Sequence, residues 1–109
     1  MEVNRVTIIT ISYNAVLGIE RTINSVITQT YSNLQYIIID GGSTDGTVDI
    51  IKKYADKIDY WVSEPDSGIY YAMNKGIAIA DGDWINFMNA GDYFVDRNVI
   101  EQIFQHNIE

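Results

Sequence analysis

The chain has 109 residues, with 15 acidic and 7 basic side chains, one His, no Cys and a formal net charge of −8. A chain of this length fits one domain that buries roughly 65% of its unfolded surface, and 47% hydrophobic with 20% charged residues excludes disorder. The acidic balance excludes nucleic acid as the main partner, because phosphate backbones are held by clustered Lys and Arg, and the lack of Cys excludes disulfides, thiolate metal sites and a cysteine nucleophile.

Met1 to Arg5 lacks the basic-then-apolar layout of a signal peptide. No apolar run approaches the ~18 residues of a spanning helix. The expected location is cytoplasmic, with peripheral attachment to the inner face of a membrane left open for a longer protein. Val6 to Ile11 is rich in β-branched residues and reads as a buried strand. Ser12-Tyr13-Asn14-Ala15 is a polar break. Ile19, Ile23, Val26 and Ile27 then recur at helical spacing, and Tyr31-Ser32-Asn33 closes that helix. Tyr36 to Asp40 is a second buried strand, its isoleucines showing no alternation, as expected when both sheet faces are covered.

Gly41 to Gly46 is a turn-rich loop in which Thr44 or Asp45 can cap a helix carrying Val48, Ile51, Ala55 and Ile58 on one side. Asp59 to Ser63 reads as a third strand. Pro65-Asp66-Ser67-Gly68 is a loop with the only proline. A helix over about residues 67–80 is expected to turn Ile69, Met73, Ile77 and Ala80 toward the core. Asp81-Gly82-Asp83 is a turn, and Trp84 to Met88 is a fourth strand that runs into Asn89-Ala90-Gly91-Asp92. Asp96 is placed as the N-cap of a last helix with Val99, Ile100, Ile103 and Phe104 on its apolar stripe. The chain stops at His106-Asn107-Ile108-Glu109 without a terminating Gly, Pro or basic residue, so the sequence reads equally as a fraying end or as a piece of something longer.

Strict β-α alternation implies a Rossmann-like three-layer α/β/α fold with a mostly parallel sheet and right-handed crossovers. Ligands of such sheets bind beyond the carboxyl ends of the strands. Tyr13, Asn14, Asp40, Asp66, Asn89 and Asp92 all fall at that rim. Taken singly, each is more often turn chemistry than ligand chemistry; their joint placement carries more weight. Gly-x-x-x-x-Gly-Lys-Ser/Thr is absent, and the 41–46 loop does not fit Gly-x-Gly-x-x-Gly, which disfavours a Walker-type ATPase and an NAD enzyme. An acidic rim accepts a diphosphate only with a cation between them, and Mg²⁺ or Mn²⁺ does this with one or two carboxylates, phosphate oxygens and water. Asp92 is the best-placed ligand.

Four segments resemble family-2 glycosyltransferases of the GT-A fold: Ile8 to Asn14; Ile37 to Thr47; Ser63 to Gly76; and Gly82 to Ile85 leading to Phe87 to Asp92. The resemblance runs from about residue 5 to 96. It implies that residues 1–109 are the N-terminal, nucleotide-sugar-binding part of a larger catalytic domain, a GT-A fold cut short. The implied activity is inverting transfer of a sugar from a nucleotide donor to an acceptor hydroxyl, in polysaccharide biosynthesis. Implied partners are a UDP-sugar and a saccharide or lipid-linked acceptor. Residues matching the donor site are Ser12, Tyr13, Asn14, Asp40, Asp66, Asn74, Lys75, Asn89 and Ala90. Asp92 matches the cation ligand, with Mg²⁺ or Mn²⁺ as cofactor. Lys75 would offset diphosphate charge. No residue matches the general base, and His106 reads as a surface residue.

Departures from the family pattern are Gly41 where Asp is common, Tyr71 where Asp is frequent, and a metal motif whose only carboxylate is Asp92. These keep open a non-catalytic nucleotide-binding or interaction module on the same fold. A signalling receiver would need an acidic pair after the first strand, where Ser12-Tyr13-Asn14 stands. A nucleotidyltransferase would need a basic, glycine-rich first loop. Apolar surface meant for the rest of the domain is expected to favour self-association.

Overall fold

The computed structural model describes the backbone of residues 4–106 and the side chains of residues 4–104. The His106 side chain and residues 107–109, on which the reading of the chain end rests, lie outside the described residues, as do residues 1–3.

The β-branched runs become strands β1 (Val6–Ser12) and β2 (Leu34–Asp40), and two short stretches rich in aromatic residues become β3 (Tyr60–Ser63) and β4 (Trp84–Phe87). They form one sheet in the order β3-β2-β1-β4, with all three pairings parallel. Between them lie α1 (Ile19–Ile27), α2 (Thr47–Lys53) and α3 (Ile69–Ile79), and α4 (Val99–His106) follows β4. Side chains alternate across the sheet. Ile8 and Ile38 face a core with Ile23 and Val26 of α1, Ile51 of α2, and Ile100 and Phe104 of α4. Ile9, Ile37 and Ile39 face a second, smaller core under Ala72 of α3. Helices therefore cover both faces, giving three layers. Each wholly buried isoleucine contributes roughly 1.5–3 kcal/mol. Among the described residues no helix is long and apolar enough to cross a membrane.

The chain moves outward from β1 to β2 to β3, then returns past β1 to add β4. The strand order thus reverses at β1, and crevices at such reversals bind ligands in open α/β sheets.

Four sequence expectations need correction. The α3 helix turns Ala72 and Gly76 inward, while Ile69 and Ile77 are 50% and 44% exposed and Met73 is half-buried. Close approach decides this: a Cβ at Gly76 would lie 2.8 Å from Cγ2 of Ile9. Only a small-residue face can lie that near the isoleucine carpet. The second helix is shorter than its apolar pattern. It ends at Lys53, a 3₁₀ turn covers Ala55–Lys57, and Ile58 is buried in extended backbone. Finally, Asp96 precedes α4 rather than capping it directly: its Oδ1 accepts from Asn98 N at 2.8 Å, and the Ile100 N–H donates to Gln29 Oε1 at 3.2 Å. Ile100 and Phe104 face inward as expected, whereas Ile103 is 49% exposed.

Candidate functional site

The carboxyl ends of the four strands surround a cleft of about 560 Å³. β1 supplies Ile11, Ser12 and Tyr13, and the loop after β2 supplies Gly41. The loop after β3 and the start of α3 supply Pro65, Asp66, Gly68, Ile69 and Ala72, and the segment after β4 supplies Asn89. The walls are mostly apolar, with Ser12, Tyr13, Asp66 and Asn89 as the residues carrying polar groups. This is the usual make-up of a small-molecule site. Tyr13 is 65% exposed, so its ring is available to a ligand.

Strand register organises the rim. It sets Ser12 beside Asp40 and Asp40 beside Ser63. Asp40 is wholly buried. Its Oδ1 accepts from the hydroxyls of Ser12 at 2.6 Å and Ser43 at 2.7 Å. Its Oδ2 accepts from Gly42 N at 3.1 Å, Ser43 N at 2.8 Å and the Ser63 hydroxyl at 2.8 Å. Burial pushes its pKa up, but the hydrogen bonds from Ser12, Ser43 and Ser63 outweigh burial and hold it below the ordinary carboxylate range. Five donors saturate a carboxylate. Asp40 and its Ser12 partner therefore tie strand ends together; Asp40 does not present its charge to the cleft.

Asn14 also stitches loops together. Its φ of 47° lies in the left-handed region, which Asn tolerates better than most residues. Its N–H donates to the Ser43 hydroxyl at 2.7 Å, and its Oδ1 accepts from Thr44 N at 2.9 Å. Asp45 accepts from the Thr47 hydroxyl and from the N–H groups of Thr47 and Val16, and these bonds lower its pKa, chiefly through Thr47. Asn14 and Ala90 line a second hollow of about 320 Å³ beside the main cleft.

Asp66 lies on the cleft wall, with Oδ1 accepting from Gly68 N at 3.1 Å. A Cβ at position 41 would sit 3.3 Å from Asp66 Oδ2 and 3.4 Å from Tyr13 Cδ1. The glycine that departs from the family pattern is thus the residue over which Asp66 and Tyr13 close.

Asn74 and Lys75 do not line the cleft. Asn74 is exposed on α3. Lys75 Nζ pairs with Glu64 Oε1 at 2.6 Å and lies 5.1 Å from the Tyr71 ring centroid. Its pKa is raised mainly by the Glu64 hydrogen bond. With no ligand bound, the Lys75 ammonium is paired with Glu64 and is not aimed into the cleft.

Beyond β4, Ala90 N donates to Ile11 O at 3.0 Å, and Asp92 N donates to Asn89 O at 2.9 Å. Asp92 is exposed, and its carboxylate makes no hydrogen bond or ion pair with a described residue. No three acidic or imidazole side chains converge among the described residues. A single unspent carboxylate does not make a resident metal site. It does fit a Mg²⁺- or Mn²⁺-type ion that arrives with phosphate oxygens and water as its other ligands.

One contributor was missed in the sequence. Thr22, wholly buried on α1, accepts from Gly91 N at 2.8 Å and donates to Asp92 O at 2.7 Å. Its signal was a polar residue on the apolar face formed by Ile19, Ile23 and Val26.

A family model described as glycosyl transferase family 2 matches residues 7–107. The chain belongs to that family. It is 44% identical over 98 residues to an uncharacterized glycosyltransferase of Mycobacterium tuberculosis, covering 89% of this chain and 37% of that protein. It is 41% identical over 102 residues to Bacillus subtilis TuaG, a glycosyltransferase named for teichuronic acid biosynthesis, covering 90% of this chain and 40% of that one. The chain therefore spans well under half the length of these relatives. Two solved structures superpose closely. Staphylococcus aureus TarS, in complex with UDP, gives a TM-score of 0.81 at 25% identity over 91% of this chain and 30% of that chain. A mannosyltransferase from Pyrobaculum calidifontis, with GDP-Man and Mn²⁺, gives 0.80 at 28% identity over 89% and 30%. The fold is of the GT-A glycosyltransferase type.

Proposed function

We propose that this chain is the donor-binding part of an inverting glycosyltransferase that moves a sugar from a nucleoside diphosphate to an acceptor hydroxyl. The observation that carries the reading is the cleft at the strand-order reversal, where Tyr13, Asp66 and Asn89 meet from three different strand ends. The UDP and GDP-Man complexes of the two structural neighbours support a nucleotide in that cleft.

The proposed roles are those the family resemblance implies, fitted to the positions of these residues in the cleft. The exposed Tyr13 ring borders the base, and Gly41 leaves the base room beside it. Asp66 accepts hydrogen bonds from base or ribose. Asn89 and the Ala90 main chain flank the sugar side of the nucleotide. Ser12, Asn14 and Asp40 hold these groups in place. Asp92 is the carboxylate available to a divalent cation, and the neighbour carrying Mn²⁺ supports that assignment. Such a cation, when bound, neutralises charge on the departing diphosphate. We place the acceptor site and the general base in the remaining length of the longer relatives. We also propose UDP over GDP as the nucleotide, and self-association through exposed Tyr70 and Ile77 on α3 and Trp84 and Ile85 on β4.

Calorimetric titration of UDP and GDP, each with and without Mn²⁺, tests the donor site. Saturable binding strengthened by Mn²⁺ and favouring UDP is the expected result. Binding indifferent to the metal would favour a non-catalytic nucleotide-binding module, and flat traces throughout would sink donor binding. Light scattering on a size-exclusion column tests self-association, which a monomer at every concentration would contradict.

A further inference from the structure

The carboxylate assigned to the cation sits on a short turn closed by a single internal bond, Asp92 N to Asn89 O at 2.9 Å. Gly91 has a φ of +104°, and Asp92 is exposed. Ala90 N ties the start of the turn to Ile11 O of β1, and α1 holds its Gly91-Asp92 corner. The Thr22 hydroxyl brackets the Asp92 Cα: it accepts from the N–H of Gly91 just before it, at 2.8 Å, and donates to the carbonyl of Asp92 itself, at 2.7 Å. A helical Thr ordinarily back-bonds to the carbonyl four residues earlier. That contact, to Gly18 O, is the longer one at 3.2 Å. Gly18 adds a second restraint, since a Cβ there would lie 3.0 Å from Gly91 Cα. A valine would fill the same core space without a hydroxyl to satisfy, so packing alone does not account for threonine at 22.

We infer that Thr22 is a positioning residue that aims the Asp92 carboxylate at the cation bridging to the donor diphosphate, with Gly18 allowing the close approach. The inference rests on the role proposed above for Asp92. Residues that orient a metal ligand typically change metal affinity about 10–100-fold when removed. The test is calorimetry of UDP with and without Mn²⁺ on the chain and on T22V, T22S and D92N, all below their thermal midpoints. T22V is expected to lose about tenfold of the Mn²⁺-dependent gain in UDP affinity while keeping the metal-free affinity. T22S, which retains the hydroxyl, is expected to restore the gain. G18A presses a methyl on Gly91 without touching the hydroxyl and is expected to reduce the same gain, which keeps the inference testable if T22V folds poorly. If D92N abolishes the gain while T22V and G18A keep it, Thr22 has no positioning role and the donor-site reading stands. If D92N itself keeps the gain, the role of Asp92 falls and this inference falls with it.

Discussion

β1 has a neighbour on each side, and each neighbour leads to an aspartate treated in the opposite way. Asp40, ending β2, is wholly buried and accepts five hydrogen bonds from the loops around it. Asp92, beyond β4, is exposed, and its carboxylate is spent on no described residue. Its backbone does the anchoring instead, through Thr22 and Asn89. The lesson is that an acidic rim need not repel a diphosphate evenly. On the β2 side negative charge is consumed in building the cleft, and on the β4 side it is left unspent, as the proposed cation site requires.

The contrast is broken most severely at Asp40. An Asp40→Asn substitution replaces one carboxylate oxygen by an amide donor that faces other donors, and it should cost about 3 kcal/mol. Chemical denaturation would show this as a fall in midpoint, together with weaker nucleotide binding as the loops loosen. An unchanged midpoint would mean that the five bonds contribute little. Asp92→Asn should do the reverse, leaving stability within about 0.5 kcal/mol, as for surface changes generally, while removing the response of UDP affinity to Mn²⁺.

Position 41 sharpens the comparison from inside the cleft. Gly41→Asp restores the residue common in the family but places a side chain against Asp66 and Tyr13. It should weaken UDP binding about tenfold, or ~1.4 kcal/mol, with stability much less affected. If affinity rises instead, Asp66 is not the carboxylate facing the nucleotide. The pH dependence tests Asp40 a second way. The folded pKa of Asp40 is depressed, so its contribution is fully present above the unfolded value of about 4 and is lost as pH falls through the folded value. Asp40→Asn should flatten that acid limb of the stability profile. The smallest effect is expected at Lys75. The Glu64 end of its ion pair is 53% exposed, and such pairs contribute ~0–1 kcal/mol, so Lys75→Ala should barely shift the thermal midpoint or UDP affinity. A clear loss of affinity would return Lys75 to the donor site.

The sheet was legible because β-branched runs and strand-end polar residues are local signals. The α/β alternation places Tyr13, Asp66 and Asn89 at one rim before any contact is known. What stayed hidden depends on distances between elements. Apolar periodicity alone selects Ile69 and Ile77 for the core; the nearness of Gly76 to Ile9 selects the opposite choice. An aspartate at a strand end looks ligand-facing until parallel register sets Ser12 on one side of Asp40 and Ser63 on the other. Lys75 looks free until Glu64 is seen eleven residues earlier in the chain and 2.6 Å away in space. Thr22 reads as a mild flaw on an apolar helix face until the turn after β4 is found resting on it.

A crystal structure of the chain with UDP and Mn²⁺ is the most direct measurement. The predicted result is a nucleotide in the cleft beside Tyr13 and Asp66, with Mn²⁺ held by the Asp92 carboxylate and the diphosphate, and Asp40 still saturated by its five donors. A metal ligated by Asp40, or a nucleotide seated away from the β1 and β4 ends, would contradict the division of labour between the two aspartates.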